Sequence, residues 1–164
     1  MILQDSSYGT KSNPKVWVMR EFVNSTANKL GMPLPQGRIR FYRRDTDGRL
    51  EFTGEDELRH TPRDETVRVF TGAAFDLVGE RKRTSFYVDH GRRTAEESFE
   101  IRLRNRKQEA VEVLVSERLY RAATWDIYSS STPFEKKDSQ QVEFRAPLAP
   151  NEDKAVTYSV RYTW

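Results

Sequence analysis

The chain has 164 residues, 28 Lys and Arg against 25 Asp and Glu, and no cysteine. A net charge of +3 is too small to draw in nucleic acid or an anionic membrane, and without cysteine there are no disulfides, thiolate metal sites or thiol nucleophiles. An aromatic content of 12% supplies ring area for a core and excludes a disordered chain, while no apolar run reaches the roughly 20 residues of a bilayer span, so no membrane insertion is expected.

Residues 1–14 are polar, carry Gly9 and Pro14, and read as a flexible lead-in without the charged head and apolar stretch of a signal peptide. Val16 to Val23 predicts a strand with Trp17, Met19 and Val23 on one face and Val16, Val18 and Phe22 on the other. Apolar residues on both faces mark a central, doubly covered strand. The stretch from Asn24 to Gly37 holds Pro33 and Pro35 between glycines and reads as a loop, because proline cannot donate to a ladder. Arg38 to Arg44 alternates as a strand. Asp45-Thr-Asp-Gly48 turns it into Arg49 to Thr53, the strongest hairpin signal present. A polar connection, Gly54 to Asp64, leads to strands at Thr66 to Thr71, Phe75 to Val78 and Thr84 to Asp89, with Gly72 as an interruption.

The second half alternates more cleanly. Phe99, Ile101 and Leu103, then Val111, Val113 and Val115 across the turn at residues 105–109, predict an antiparallel hairpin. Thr124 to Tyr128 is a short strand, residues 129–139 a mobile loop, and Val142, Phe144 and Ala146 another strand. In the closing ten residues Val156, Tyr158, Val160, Tyr162 and Trp164 share one face. The only helical candidate, Thr94 to Ser98, is too short. Short strands about ten residues apart with turns between them predict an all-β, antiparallel β-sandwich. The modules would be 15–82 and 83–164, the second immunoglobulin-like, or a single continuous β-domain.

Several segments occur together in a telling order: Phe22-Val-Asn24, Leu30-Gly-Met-Pro-Leu-Pro-Gln-Gly37, Asp47-Gly48, Phe52-Thr-Gly-Glu-Asp56, His60-Thr-Pro-Arg-Asp-Glu65 and Gly72-Ala-Ala-Phe-Asp76. Glu80-Arg-Lys-Arg83, Leu103-Arg-Asn-Arg106, Trp125-Asp-Ile127 and Val156-Thr-Tyr-Ser-Val-Arg-Tyr162 follow. Over residues 16–164 this series resembles the C-terminal β-rich region of a bacterial domain-of-unknown-function family found in mucoidy-inhibitor-A-like exported proteins. The resemblance implies a periplasmic or extracellular, envelope-associated protein with a further β-domain and a coiled coil, of which this chain would be a fragment. It brings no catalytic residues with it.

Asp45, Asp47 and Glu51 gather oxygens near a glycine, but a calcium loop needs a third acidic ligand and a bidentate Glu at its twelfth position, so a plain turn is expected. His60 and His90 are too few for a zinc site with three protein ligands. No nucleophile elbow or phosphate loop occurs, and a paired-carboxylate glycosidase is the remaining enzyme alternative. No catalytic residue, metal or cofactor is expected. The arginine rows Arg38, Arg40, Arg43, Arg44 and Arg102, Arg104, Arg106 read as solvated strand faces, the second neutralised by Glu100, Glu112 and Glu117 across the hairpin. Asn24-Ser-Thr26 is a chance glycan-acceptor pattern. Trp125, Phe134, Lys136 and Lys137 set aromatics beside cations and are the expected partner-binding residues, for a protein or glycan of the envelope. The reading is a non-catalytic binding or assembly module, with a carbohydrate-binding or carbohydrate-active module as the alternative.

Overall fold

The computed structural model describes residues 5–164. It contains strands β1 (Lys15–Val23), β2 (Gly37–Arg44), β3 (Leu50–Leu58), β4 (Thr66–Asp89), β5 (Thr94–Asn105), β6 (Val111–Arg118), β7 (Thr124–Ser130), β8 (Phe134–Lys136), β9 (Gln141–Leu148) and β10 (Asp153–Thr163), and a 3-10 turn at Thr26–Asn28. No α-helix occurs among the described residues. The protein is all-β and antiparallel, with a β-sandwich in its C-terminal half. Two compact units divide the chain: Val16–Ala74, and Phe75–Trp164 together with the lead-in up to Lys15. The division falls inside β4, as does the position 82/83 expected from sequence. The three strands expected between Thr66 and Asp89 are one. Gly72 lies within it at φ +150, a conformation that costs glycine little.

In the first unit β1 is hydrogen-bonded to β4 and ends its sheet. Thr71 Oγ1 donates to Val18 O at 3.1 Å, and Arg68 bridges Glu21 at 2.9 Å. The central, doubly covered strand expected from β1 is corrected here. Val16, Val18 and Phe22 are half-buried, while Trp17, Met19 and Val23 are exposed. Two apolar faces predict two covered faces, yet only the Val16, Val18 and Phe22 face is covered, and only in part.

Asn24 is the hub of this unit and is fully buried. Its Nδ2 donates to Met32 O and Pro62 O, each at 2.8 Å, and its Oδ1 accepts from Gly31 N at 3.1 Å. One amide thus ties the proline-rich loop to the turn before β4, which a two-stranded hairpin alone would leave loose. An amide consumed in this way takes no glycan. Asn24→Ala removes these three hydrogen bonds, each of which contributes about 0.5–1.5 kcal/mol net before relaxation. The expected outcome is about 2 kcal/mol lost in urea unfolding of this unit, with a smaller loss for Asn28→Ala, whose Nδ2 makes a single exposed hydrogen bond, to Val23 O at 2.8 Å.

In the second unit β4, β5, β10 and β7 form one sheet in that order, and β6, β9 and β8 the other. β10 sits between β5 and β7, with Tyr158 opposite Phe99 and Tyr162 opposite Ala95. Its expected inward row is buried: Val156, Tyr158, Val160 and Tyr162 are at most 2% exposed. They pack with Phe99, Ile101 and Leu103 of β5 and with Val142, Phe144 and Ala146 of β9. The Phe99, Tyr158 and Phe144 rings run through the core at 5.2 Å centroid spacings. Fully burying one such side chain contributes about 1.5–3 kcal/mol. Four strands over three is the strand number of an immunoglobulin constant domain. Here β10, last in the chain, lies between the unit's second and fourth strands, where that domain has its fifth.

The hairpin expected between β5 and β6 does not form. β5 pairs with β4 and β10, and β6 pairs with β9, so the turn at residues 105–109 carries the chain from one sheet to the other. Asn105 makes that crossing: buried, its Nδ2 donates to Glu109 O and Ala149 O at 2.9 and 2.8 Å, and its Oδ1 accepts from Lys107 N. Alternation shows that each strand has one greasy face; it does not say whether two such faces lie side by side or look at each other.

Candidate functional site

A sandwich of two open sheets has two open sides, and different chemistry closes each one. On the side of β7 and β8, Trp125 Nε1 donates to Ser139 O at 2.7 Å. Lys136 places its ammonium 4.5 Å from the Trp125 ring centroid. Of the four expected partner-binding residues, the fold therefore joins Trp125 and Lys136. Phe134 pairs in register with Phe144, their rings 5.9 Å apart. Lys137 turns to Glu135 at 3.0 Å. Part of the loop expected at 129–139 is β8, an edge strand. These aromatics make contacts within the chain that hold the side shut.

The side of β4 and β6 is closed by charge. Arg81 and Arg83, in the stretch that the sequence left between two strands, project inward from β4. Arg81 Nε meets both Glu117 oxygens at 3.0 and 2.9 Å, and Tyr158 Oη donates to Glu117 Oε2 at 2.6 Å. Glu97, wholly buried on the inward row of β5, accepts from Arg121 at 2.7 Å and from Arg83 at 3.2 Å. The guanidinium of Arg81 lies 3.9 Å from the Phe99 ring centroid, and those of Arg121 and Arg83 lie 4.6 and 4.9 Å from that of Phe86. Bridging carboxylates and ring faces make a buried guanidinium tolerable. With this support β4 continues through Glu80-Arg-Lys-Arg83 and does not turn there, although its register against β5 shifts between Arg83 and Ser85.

The electrostatics follow from this packing. Burial raises the Tyr158 hydroxyl far above its ordinary pKa, and the Glu117 carboxylate raises it further. Burial and then Glu97 do the same to Tyr162. For Arg121, burial opposes the charged form, but the hydrogen bond and charge of Glu97 outweigh it and hold the proton more tightly.

The remaining guanidinium donors face outward to the lead-in. Arg121 Nη1 and Nη2 donate to Asp5 O and Tyr8 O, both at 3.1 Å. Arg83 Nη2 donates to Ser6 O, and Arg81 Nη1 to Gly9 O at 2.6 Å. Main chain joins in: Arg81 N donates to Ser12 Oγ at 3.0 Å and Gly79 N to Pro14 O at 3.4 Å. Tyr8 packs edge-on against Tyr120, centroids 4.8 Å apart. Gly9 has φ +77, and a Cβ there would stand 1.4 Å from Tyr120 Oη. The segment expected to be a loose lead-in is thus a strap along the β4 edge, turned at residues 6–9 and held by three arginines through its own carbonyls. Nothing local marks the strap, because Gly9 and the serines are linker-type residues and the arginines that bind them lie seventy or more positions away.

The other candidates resolve locally. Asp45 Oδ1 accepts from Thr46 N at 2.7 Å, and Gly48 takes φ +78, which is turn chemistry. His60 Nδ1 accepts from Gln36 N at 3.3 Å. Arg38 and Arg40 share Glu55 at 3.4 and 3.2 Å. In the second row Arg102 pairs with Glu100 at 2.7 Å, Arg104 with Glu80 at 2.5 Å and Arg106 with Asp153 at 2.7 Å. Glu112 and Glu117, expected to neutralise that row, serve Arg145 and Arg81 instead, because β6 lies in the other sheet. No group of three His, Asp or Glu able to hold a metal occurs among the described residues, and none of their helices is long and apolar enough to cross a membrane. Comparison with protein-family models, with curated proteins and with solved structures gives no match for this chain.

Proposed function

We propose that this chain is a non-catalytic binding or assembly module of an exported bacterial envelope protein, as its resemblance to the mucoidy-inhibitor-A-like family implies. One observation carries the reading. Every residue from Tyr42 to Thr53, the outer half of the β2–β3 hairpin, is exposed. That half carries Tyr42, Leu50 and Phe52 at 52, 62 and 56% exposure, with the Tyr42 and Phe52 rings 5.8 Å apart. A protruding arm with an aromatic pair and a leucine at its end is costly in water and useful against a partner. At its base Glu55 balances two arginines, and in the outer half Arg43, Arg44 and Arg49 stand beside Asp45, Asp47 and Glu51, so the aromatic pair and the leucine are set among mixed charges. A protein partner is favoured over a glycan because the Trp125 ring, the natural sugar platform, is engaged by Lys136 and Ser139.

The test is a photo-crosslinking residue in place of Phe52 in cells making the protein. A discrete envelope-protein adduct, lost when Tyr42→Asp and Leu50→Asp are added, is the expected result. Absence of any adduct, or hydrolysis of a glycan by the purified chain, removes the reading.

A further inference from the structure

We propose that the arginine-lined edge of β4 is a binding site for a turned polypeptide segment, that residues 5–14 are its resident ligand, and that the same segment of a second copy can take their place. The inference rests on the second unit alone and goes beyond the hairpin arm.

The site is built before the strap arrives. Arg81, Arg83 and Arg121 are aimed by Glu117 and Glu97 beneath them and by the Phe99 and Phe86 rings, none of which belongs to the strap. The donors they leave over match main-chain carbonyls. All four carbonyls that they hold, those of Asp5, Ser6, Tyr8 and Gly9, are main-chain groups presented by the turn at residues 6–9. Along an otherwise open strand edge the Gly79 amide donates to Pro14 O and the Arg81 amide to Ser12 Oγ. Specificity comes from one position. Only glycine at position 9 supplies a left-handed turn with no Cβ against Tyr120. The ligand class is therefore a segment that turns at a glycine just after an aromatic residue, here Tyr8-Gly9. In its own chain the strap competes at an effective concentration of about millimolar, so exchange with another copy needs crowding or a strap that cannot seat.

The experiment uses the full chain and a fluorescent peptide of residues 5–14. Wild-type protein is expected to bind the peptide weakly. The Gly9→Val chain, whose own strap is excluded, is expected to bind it about tenfold tighter or more. A peptide carrying Gly9→Val is expected not to bind either protein. Failure of the wild-type peptide to bind the Gly9→Val chain, or equal binding of both peptides, overturns the proposal. Should Gly9→Val not fold, wild-type protein in millimolar peptide is expected to show faster hydrogen exchange at the amides of residues 6–12. Unchanged exchange overturns it equally. Loss of strap exchange would leave a Phe52 crosslink untouched, so the two readings fail separately.

Discussion

Replacing Glu97 with alanine is expected to cost about 3–5 kcal/mol of unfolding free energy, the usual consequence of removing one member of a buried ion pair. Glu97 is the carboxylate that Arg121 and Arg83 both meet, and its side chain and that of Arg121 are fully buried. Without it, two guanidinia remain in a low-dielectric site with their counter-charge gone. Glu97→Gln keeps an acceptor and loses the charge, so a smaller loss is expected. The Glu97→Ala, Arg121→Met pair is expected to regain much of the deficit, since apolar replacement of a whole buried pair is often close to neutral. Urea unfolding of Glu97→Ala, Glu97→Gln, Arg121→Met and the double variant measures this directly. If the double variant is as unstable as the sum of two single losses, the residues are not coupled and the account of the β4–β6 side fails.

Above about pH 10 the protein is expected to lose stability steeply. Tyr158 and Tyr162 have hydroxyl pKa values raised by burial and then by Glu117 and Glu97 respectively, whereas in the unfolded chain both titrate near 10. From pH 10 upward the unfolded state gives up protons that the folded state keeps, so it binds fewer protons and stability falls as pH rises. Below that pH both states hold the protons and the contribution is constant. The slope is about 1.4 kcal/mol per pH unit for each tyrosine, hence about twice that for the pair between pH 10 and 12. Tyr162→Phe is expected to halve it. Unfolding midpoints followed by circular dichroism from pH 8 to 12 decide the matter, and a flat profile would mean that the hydroxyls reach water.

Much of the molecule is legible in one dimension. The row from Val156 to Tyr162, the Phe99–Leu103 row and the Asp45–Gly48 turn need only a two-residue period and turn chemistry to be placed. Those patterns arise within a few neighbouring residues. By contrast, Glu97 occupies a position that the period assigns to the core, yet its charge argues for the surface. Only the arrival of Arg83 and Arg121 from distant elements resolves that conflict. Asn24 is similar: its neighbours suggest a glycan acceptor, while its amide holds two loops together.

By itself, then, the order of residues determined that this is an all-β chain, which face of each well-patterned strand is greasy, and that charge would cover the rest. Those are properties of nearest and next-nearest neighbours. The tertiary structure alone decided that β5 and β6 belong to opposite sheets, that β1 is an edge, and that residues 5–14 are a strap. Each of these depends on which distant groups come within a few ångströms, and a guanidinium meets its carboxylate by closure of the fold, with no trace in local spacing.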